Sequence, residues 1–297
     1  MRIREERWTA ELALLVVCLI WGCNFAIMKT ALADLHPFAF NTIRLTLSAV
    51  FLGAVHYGGG GHRLELSRRS WIHMFFIGLI GYFGYQVFFM TGLARTESGN
   101  TALILSSSPI FTALIGFMLG ERLRRLAWIG LAVAIAGTAV ISLQEDLEFG
   151  SRATTGNILI LCASCAWGSY TALVRGLAER VPAATLAFYT TAMTLPFHWI
   201  ISFDKLGPLW SGSIPLHVWG SIVYSGLLGT GYAYVLWNIG LKKLGASHTA
   251  GFINLVPVIA LAVGWLALGE PITAFQIAGG ALVLGGVWTM HRARVKS

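Results

Sequence analysis

The sequence predicts an all-α polytopic membrane protein whose ten transmembrane helices form two inverted five-helix repeats, and three observations predict it. Of 297 residues, 56% are hydrophobic and only 11% charged, less than half the charged share of an average soluble domain. Apolar runs of about twenty residues, enough to cross a bilayer core as a helix, follow one another with short polar interruptions. The residue pattern of the first half also recurs in the second, after an odd number of runs.

Charge, proline and glycine punctuation places the helices near 10–32, 38–57, 71–93, 98–119, 125–143, 156–178, 183–202, 216–241, 248–268 and 273–290. The first run has a basic start but no small-residue cleavage site, so it reads as a retained helix rather than a signal peptide. Most linkers are short enough to make consecutive helices antiparallel neighbours, and none holds a folded extramembrane domain.

The net charge of +8 would raise the question of nucleic acid in a soluble protein; here its distribution speaks to topology. With the N-terminus cytoplasmic, cytoplasmic segments carry sixteen basic residues: Arg2, Arg4, Arg7, Arg63, Arg68, Arg69, Arg122, Arg124, Arg125, Arg175, Arg180, Lys242, Lys243, Arg292, Arg294 and Lys296. The opposite loops carry Arg95, Arg152 and Lys205. This positive-inside bias puts both termini in the cytoplasm, suits an anionic inner leaflet and calls for no nucleic acid.

Along the chain, helix 1 offers Trp21 and Asn24 to a polar interior. Helix 2 carries Arg44, the deepest basic residue, where an isolated charge at the bilayer centre costs about 2.5–3.5 kcal/mol. It either binds a carboxylate, or snorkels to the outer interface or pairs with Asp34 or a helix end. On helix 3, Tyr82, Tyr85, Gln86 and Phe89 share one face. Such a stripe should face protein or water-filled space, although Tyr82 taken singly also fits an interfacial anchor.

Helix 4 holds Asn100, Ser106, Ser107 and Ser108 ahead of Pro109. Helix 6 answers helix 1 with Trp167 and Tyr170. Helix 8 answers helix 3 with Thr230, Tyr234, Trp237 and Asn238, Trp237 sharing the anchor alternative. Helix 9 carries His248, Asn254 and Pro257. Each mid-helix proline removes a hydrogen bond and crowds the carbonyl four residues back, that of Leu105 or Ile253. Ser106 and Asn254 either serve those carbonyls or face a cavity. The prolines are read as symmetric hinges beside a substrate site, with static packing kinks as the alternative.

His248 is the titratable group nearest a plausible cavity, and no Asp or Glu sits well inside a span. The four cysteines lie in apolar runs, where thiols behave as small hydrophobes. Cys162 and Cys165 form a C-x-x-C without a second ligand pair or a basic neighbour, so neither metal nor cofactor is expected. No zinc-protease, P-loop or serine-elbow motif is present, which argues against an enzyme.

The repeat is specific. Trp21-Gly22 and Ala26 match Trp167-Gly168 and Ala172; Gly92-Leu93, Thr101-Ala102 and Pro109 match Gly240-Leu241, Thr249-Ala250 and Pro257; Gly120-Glu121, Gly130 and Gly137 match Gly269-Glu270, Gly279 and Gly286. The units are read as 1–150 and 151–297. Five helices per unit make the second enter from the opposite side, an arrangement in which a central site can open alternately to either face.

The run Gly92 to Ala102 continuing to Pro109 and Gly120-Glu121, with its second copy Lys243 to Ser247, Asn254 to Pro257, Leu268 to Pro271, Gly279 and Gly286, resembles the EamA-like branch of the drug/metabolite transporter superfamily. Trp21 to Phe25 and the Pro37 to Arg44 spacing are similar to it as well. The resemblance implies a ten-helix bacterial inner-membrane exporter with a cavity among helices 1, 3, 4, 6, 8 and 9, and relatives that export amino acids, aromatic ones included.

Aromatic, hydroxyl and amide walls with at most one cation suit a small neutral or zwitterionic solute. An exchanger of phosphorylated or nucleotide-linked sugars and a channel-like facilitator are the alternatives. The expected partners are a small-molecule substrate and the lipid bilayer, the protein being a monomer or homodimer.

Overall fold

The computed structural model describes residues 2–58, 66–120, 125–142, 151–178, 180–233, 236–237, 243 and 252–294. Their regular structure is helical throughout. The chain runs through α1 (Arg2–Asp34), α2 (Pro37–Gly58), α3 (Arg68–Leu93), α4 (Ser98–Met118), α5 (Arg125–Ser142) and α6 (Arg152–Leu173). It continues through α7 (Ala183–Ser202), α8 (216–233), α9 (Leu255–Leu268) and α10 (Ala274–Arg294). Helices α1 to α4 and α6 are long and apolar enough to cross a membrane by length and composition, and α5, α9 and α10 contain shorter apolar helices. Helix α1 starts well before its apolar run, because the charged N-terminal residues extend the helix beyond the part that lipid would bury. The expected ends of α8 at 241 and of α9 at 248 lie outside the described residues.

The bundle core is made by helices exchanged between the halves. Helix α1 packs on α9, and its counterpart α6 packs on α4; α1 also meets α8, as α6 meets α3. The counterparts α2 and α7, and α5 and α10, pair with each other.

At the α5–α10 seam a Cβ on Gly130 would lie 2.5 Å from the Gly286 oxygen, and one on Gly137 2.6 Å from the Gly279 oxygen. Both are closer than real Cβ contacts, so the backbones meet only because these positions are glycine. Gly130 meets Gly286 while Gly137 meets Gly279, so the two equivalent helices run antiparallel. Equivalent helices that meet antiparallel require one half to be inverted against the other. The α2–α7 contact repeats the geometry: Thr42 donates to the His198 carbonyl at 3.0 Å and His56 Nδ1 meets Thr185 Oγ1 at 3.1 Å. Large apolar side chains such as Leu19, Ile129, Trp265 and Leu266 stay exposed on the outside, where the surrounding medium is lipid.

Two pairs of irregularities obey the repeat. Helix α3 widens into a π-helix over Leu79–Gly84, and α8 does so over Tyr224–Tyr232. Helix α4 is interrupted at Ser106 and Ser107, and a turn at Asn254 precedes α9. π turns are rare and concentrate at functional sites.

Candidate functional site

Arg44 lies on α2, seven residues past Pro37 and so about 10 Å along the helix. Its side chain is 3% exposed, which overturns the snorkelling alternative. The Asp34 partner expected for it is instead taken by His217, at 2.9 Å. Arg44 Nη2 donates to Asn41 Oδ1 and to Gln86 Oε1, both at 2.7 Å, and Nη1 donates to Ser225 Oγ at 3.1 Å and touches Met28 Sδ at 3.8 Å. Gln86 lies two residues past the α3 π segment and Ser225 lies inside the α8 one, so the guanidinium links the neighbourhoods of both irregular turns.

His198 of α7 sits behind this centre, its Nδ1 3.4 Å from Asn41 Nδ2 and its Nε2 3.3 Å from the Tyr82 carbonyl. A π turn displaces backbone carbonyls from the regular helical ladder, and a buried carbonyl needs a partner; His198 serves that of Tyr82. In the other π segment Thr230 does the same for Ser225, donating at 3.2 Å.

The aromatic candidates come together. Rings run from Phe25 to Phe89 (6.0 Å between centroids), Tyr85 (5.5 Å), Trp167 (5.2 Å), Tyr170 (5.3 Å) and Tyr82 (5.4 Å). They form one wall across α1, α3 and α6. Tyr82 is buried in it, so the anchor alternative fails for that residue. On the α1–α8 side Trp21 packs on Trp237 at 5.5 Å and donates to the Gly229 carbonyl at 2.8 Å. Asn24, one turn along α1, is buried against Gly229.

Helix 4 departs from the expected lining. Asn100 is fully buried and accepts a hydrogen bond from Gln276 of α10 at 2.9 Å. Ser107 meets Ser164 of α6 at 3.0 Å, and Ser106 donates to the Ala102 carbonyl at 2.9 Å rather than serving that of Leu105. Pro109 is not a kink inside a continuous helix. The first segment ends at Leu105 and the second begins at Ser108 with proline in its opening turn, where its missing N–H leaves nothing unsatisfied. Pro257 stands likewise in the first turn of α9 after Asn254. Tyr234, Asn238 and His248 lie outside the described residues.

The helix ends that carry the α1–α2, α3–α4 and α9–α10 connections are joined by a network that sequence reasoning missed. Gly269, with φ +68°, ends α9 in the left-handed region and turns the chain so that Glu270 reaches the start of α4. Glu270 accepts from the Ser98 amide at 3.0 Å and the Ser98 hydroxyl at 2.5 Å, and pairs with Lys29 at 3.1 Å. Lys29 also donates to the Thr96 carbonyl. Burial alone would raise the Glu270 pKa, but the Ser98 bonds and the Lys29 charge outweigh it and hold it below the usual glutamate value. Beside it, Gln276 donates to Glu97 at 2.7 Å. The legible signal was a carboxylate placed to meet the exposed N–H groups of a helix start; its partner, 172 residues away, was not legible. Among the described residues no group of three or more His, Cys, Asp or Glu could hold a metal.

The chain matches the EamA-like transporter family twice, over residues 8–143 and 154–291. It is similar to a probable terminal-alkyne amino-acid exporter of Streptantibioticus cattleyicolor, with 28% identity over 98% of this chain and 95% of that protein. It is also similar to a probable amino-acid metabolite efflux pump of Salmonella typhimurium, with 26% identity over 93% and 92%. A solved crystal structure shares the fold at a TM-score of 0.66, with 22% identity over 97% of this chain and 99% of that one. Two family matches in tandem, on helices that pair as inverted equivalents, make this an integral membrane protein of the EamA-like transporter family.

Proposed function

We propose that this transporter exports small zwitterionic metabolites, foremost amino acids with hydrophobic or aromatic side chains, by alternating access. The carrying observation is that a polar centre of buried Arg44, Asn24 and Ser225 with half-buried Gln86, and an aromatic wall from Phe25 to Tyr82, are assembled from both halves. Polar groups hold a substrate's charged end and rings accommodate an apolar side chain. The amino-acid export attributed to the two named relatives supports the substrate class.

In this reading the protein sits in a bacterial inner membrane with both termini cytoplasmic, the orientation favoured by the positive-inside bias. The Lys29–Glu270–Ser98 network then closes the outer end, and the exchanged contacts α1–α9 and α4–α6 are those that must rearrange to open it. The breaks before Pro109 and Pro257 supply the bending points.

The test is flux from proteoliposomes loaded with labelled amino acids, nucleosides or sugar phosphates, with and without a pH gradient. Saturable amino-acid efflux accelerated by unlabelled solute on the far side is expected. Sugar-phosphate exchange without amino-acid flux, or large single-channel currents, would overturn the reading.

A further inference from the structure

Arg44 is a buried cation with no ion-pair partner among the described residues. Its guanidinium is buried, and its three bonded side-chain oxygens belong to an asparagine, a glutamine and a serine. The ion pairs among the described residues lie elsewhere, at Lys29–Glu270, Lys205–Asp204 and His217–Asp34. Neutral dipoles orient the fork but do not cancel its charge, and an uncompensated buried charge is strongly unfavourable. One donor, Nε–H, is buried with no acceptor among the described residues. With both Nη2 hydrogens already donated to Asn41 and Gln86, this N–H is the donor left to make a charge-assisted bond to a carboxylate oxygen.

An unpartnered acceptor stands close by. Asn24 Oδ1 is buried without a donor among the described residues. Asn24 lies one helical turn from Met28, whose sulfur touches Arg44, and against Gly229, one turn from Ser225, which Arg44 also touches. Residues four apart on a helix are neighbours on one face, so the residues bearing an orphan donor fit for a carboxylate and an orphan acceptor fit for an ammonium lie at adjoining turns of α1 and α8. The substituents of an α-carbon present the two charges together in that order.

We propose that Arg44 and Asn24 form an α-amino carboxylate subsite, Arg44 Nε receiving the carboxylate and Asn24 Oδ1 the ammonium of the transported solute. This rests on the transport function proposed above and narrows it: one carboxylate is required, decarboxylated amines are rejected, and the side chain is left to the aromatic wall. The substrate's carboxylate supplies the counter-charge that Arg44 lacks among the described residues.

The test needs no variant to begin. Wild-type protein in liposomes of phosphatidylethanolamine and phosphatidylglycerol is screened with labelled proteinogenic L-amino acids. The one moved fastest is then competed with its own decarboxylated and deaminated analogues; for L-phenylalanine these are 2-phenylethylamine and 3-phenylpropionate. Each analogue is expected to compete roughly 30-fold less well than the amino acid, the effect of leaving one buried charged or polar partner unpaired.

Arg44→Gln should abolish the preference over the amine while keeping the preference over the acid, and Asn24→Leu the reverse. Arg44→Lys, which keeps the charge but not the fork, should fall between wild type and Arg44→Gln. An amine that competes as well as its amino acid, in wild type, would overturn the Arg44 assignment and leave transport standing; an equally competitive acid would overturn that of Asn24. Absence of flux for the whole panel would overturn the transport reading and the subsite with it.

Discussion

At Glu270 a side chain outside the membrane spans takes part in the bonding that joins the ends of three helices. Its pKa lies below the usual glutamate value of 4.5. Ionised Glu270 therefore contributes stability that is fully present above pH 4.5 and is lost as the pH falls through the lower folded value. Thermal unfolding in detergent should show this loss for the wild type on acidification and not for Glu270→Gln. At pH 7 the variant should be less stable by about 2 kcal/mol, because Lys29 and Ser98 lose a charged partner. Equal acid sensitivity in both proteins would assign the loss elsewhere. The contrast with Arg44 shows what residue-level reading reaches. Its depth and its nearest helical neighbour, Asn41, are legible in the sequence. Gln86 and Ser225, 42 and 181 residues away, are not, and without them snorkelling was a reasonable alternative.

At the scale of the element, apolar run length located the helices because lipid imposes a length as well as a composition. It did not register the π segments, since one extra residue in a turn barely disturbs the pattern of an almost uniformly apolar run. The visible trace was glycine: Gly78, Gly81 and Gly84 bracket one segment, and Gly226, Gly229 and Gly231 lie within the other. The prolines were located but their setting was misjudged, for each stands in the opening turn of a new helical segment rather than inside a continuous one. Replacing proline there forfeits a preset backbone angle without removing a clash. Pro109→Ala and Pro257→Ala should therefore change thermal stability by about 1 kcal/mol or less while lowering the flux rate severalfold by letting the broken helices straighten. Parallel loss of folded yield and flux would identify the prolines as packing residues.

For the whole molecule, the two halves were legible because duplicated motifs survive in order, and their inversion followed from an odd helix count. The exchange of partners, α1 onto α9 and α6 onto α4, was not legible, since periodicity says which face is buried but not against what. The α5–α10 seam belongs to this scale. Gly130→Leu or Gly286→Leu should prevent assembly, measured as loss of the monodisperse species on size-exclusion chromatography, because at 2.5 Å even the first added carbon meets backbone oxygen. Where main chain rests this closely on main chain, lengthwise sliding would drive the neighbouring Ala134, Ile141 and Leu282 side chains into carbonyls. Two such contacts, seven residues apart on each helix, oppose pivoting as well. The two helices should therefore travel as one rigid unit, and a covalent staple between them, placed away from the glycines, should leave solute passage almost untouched.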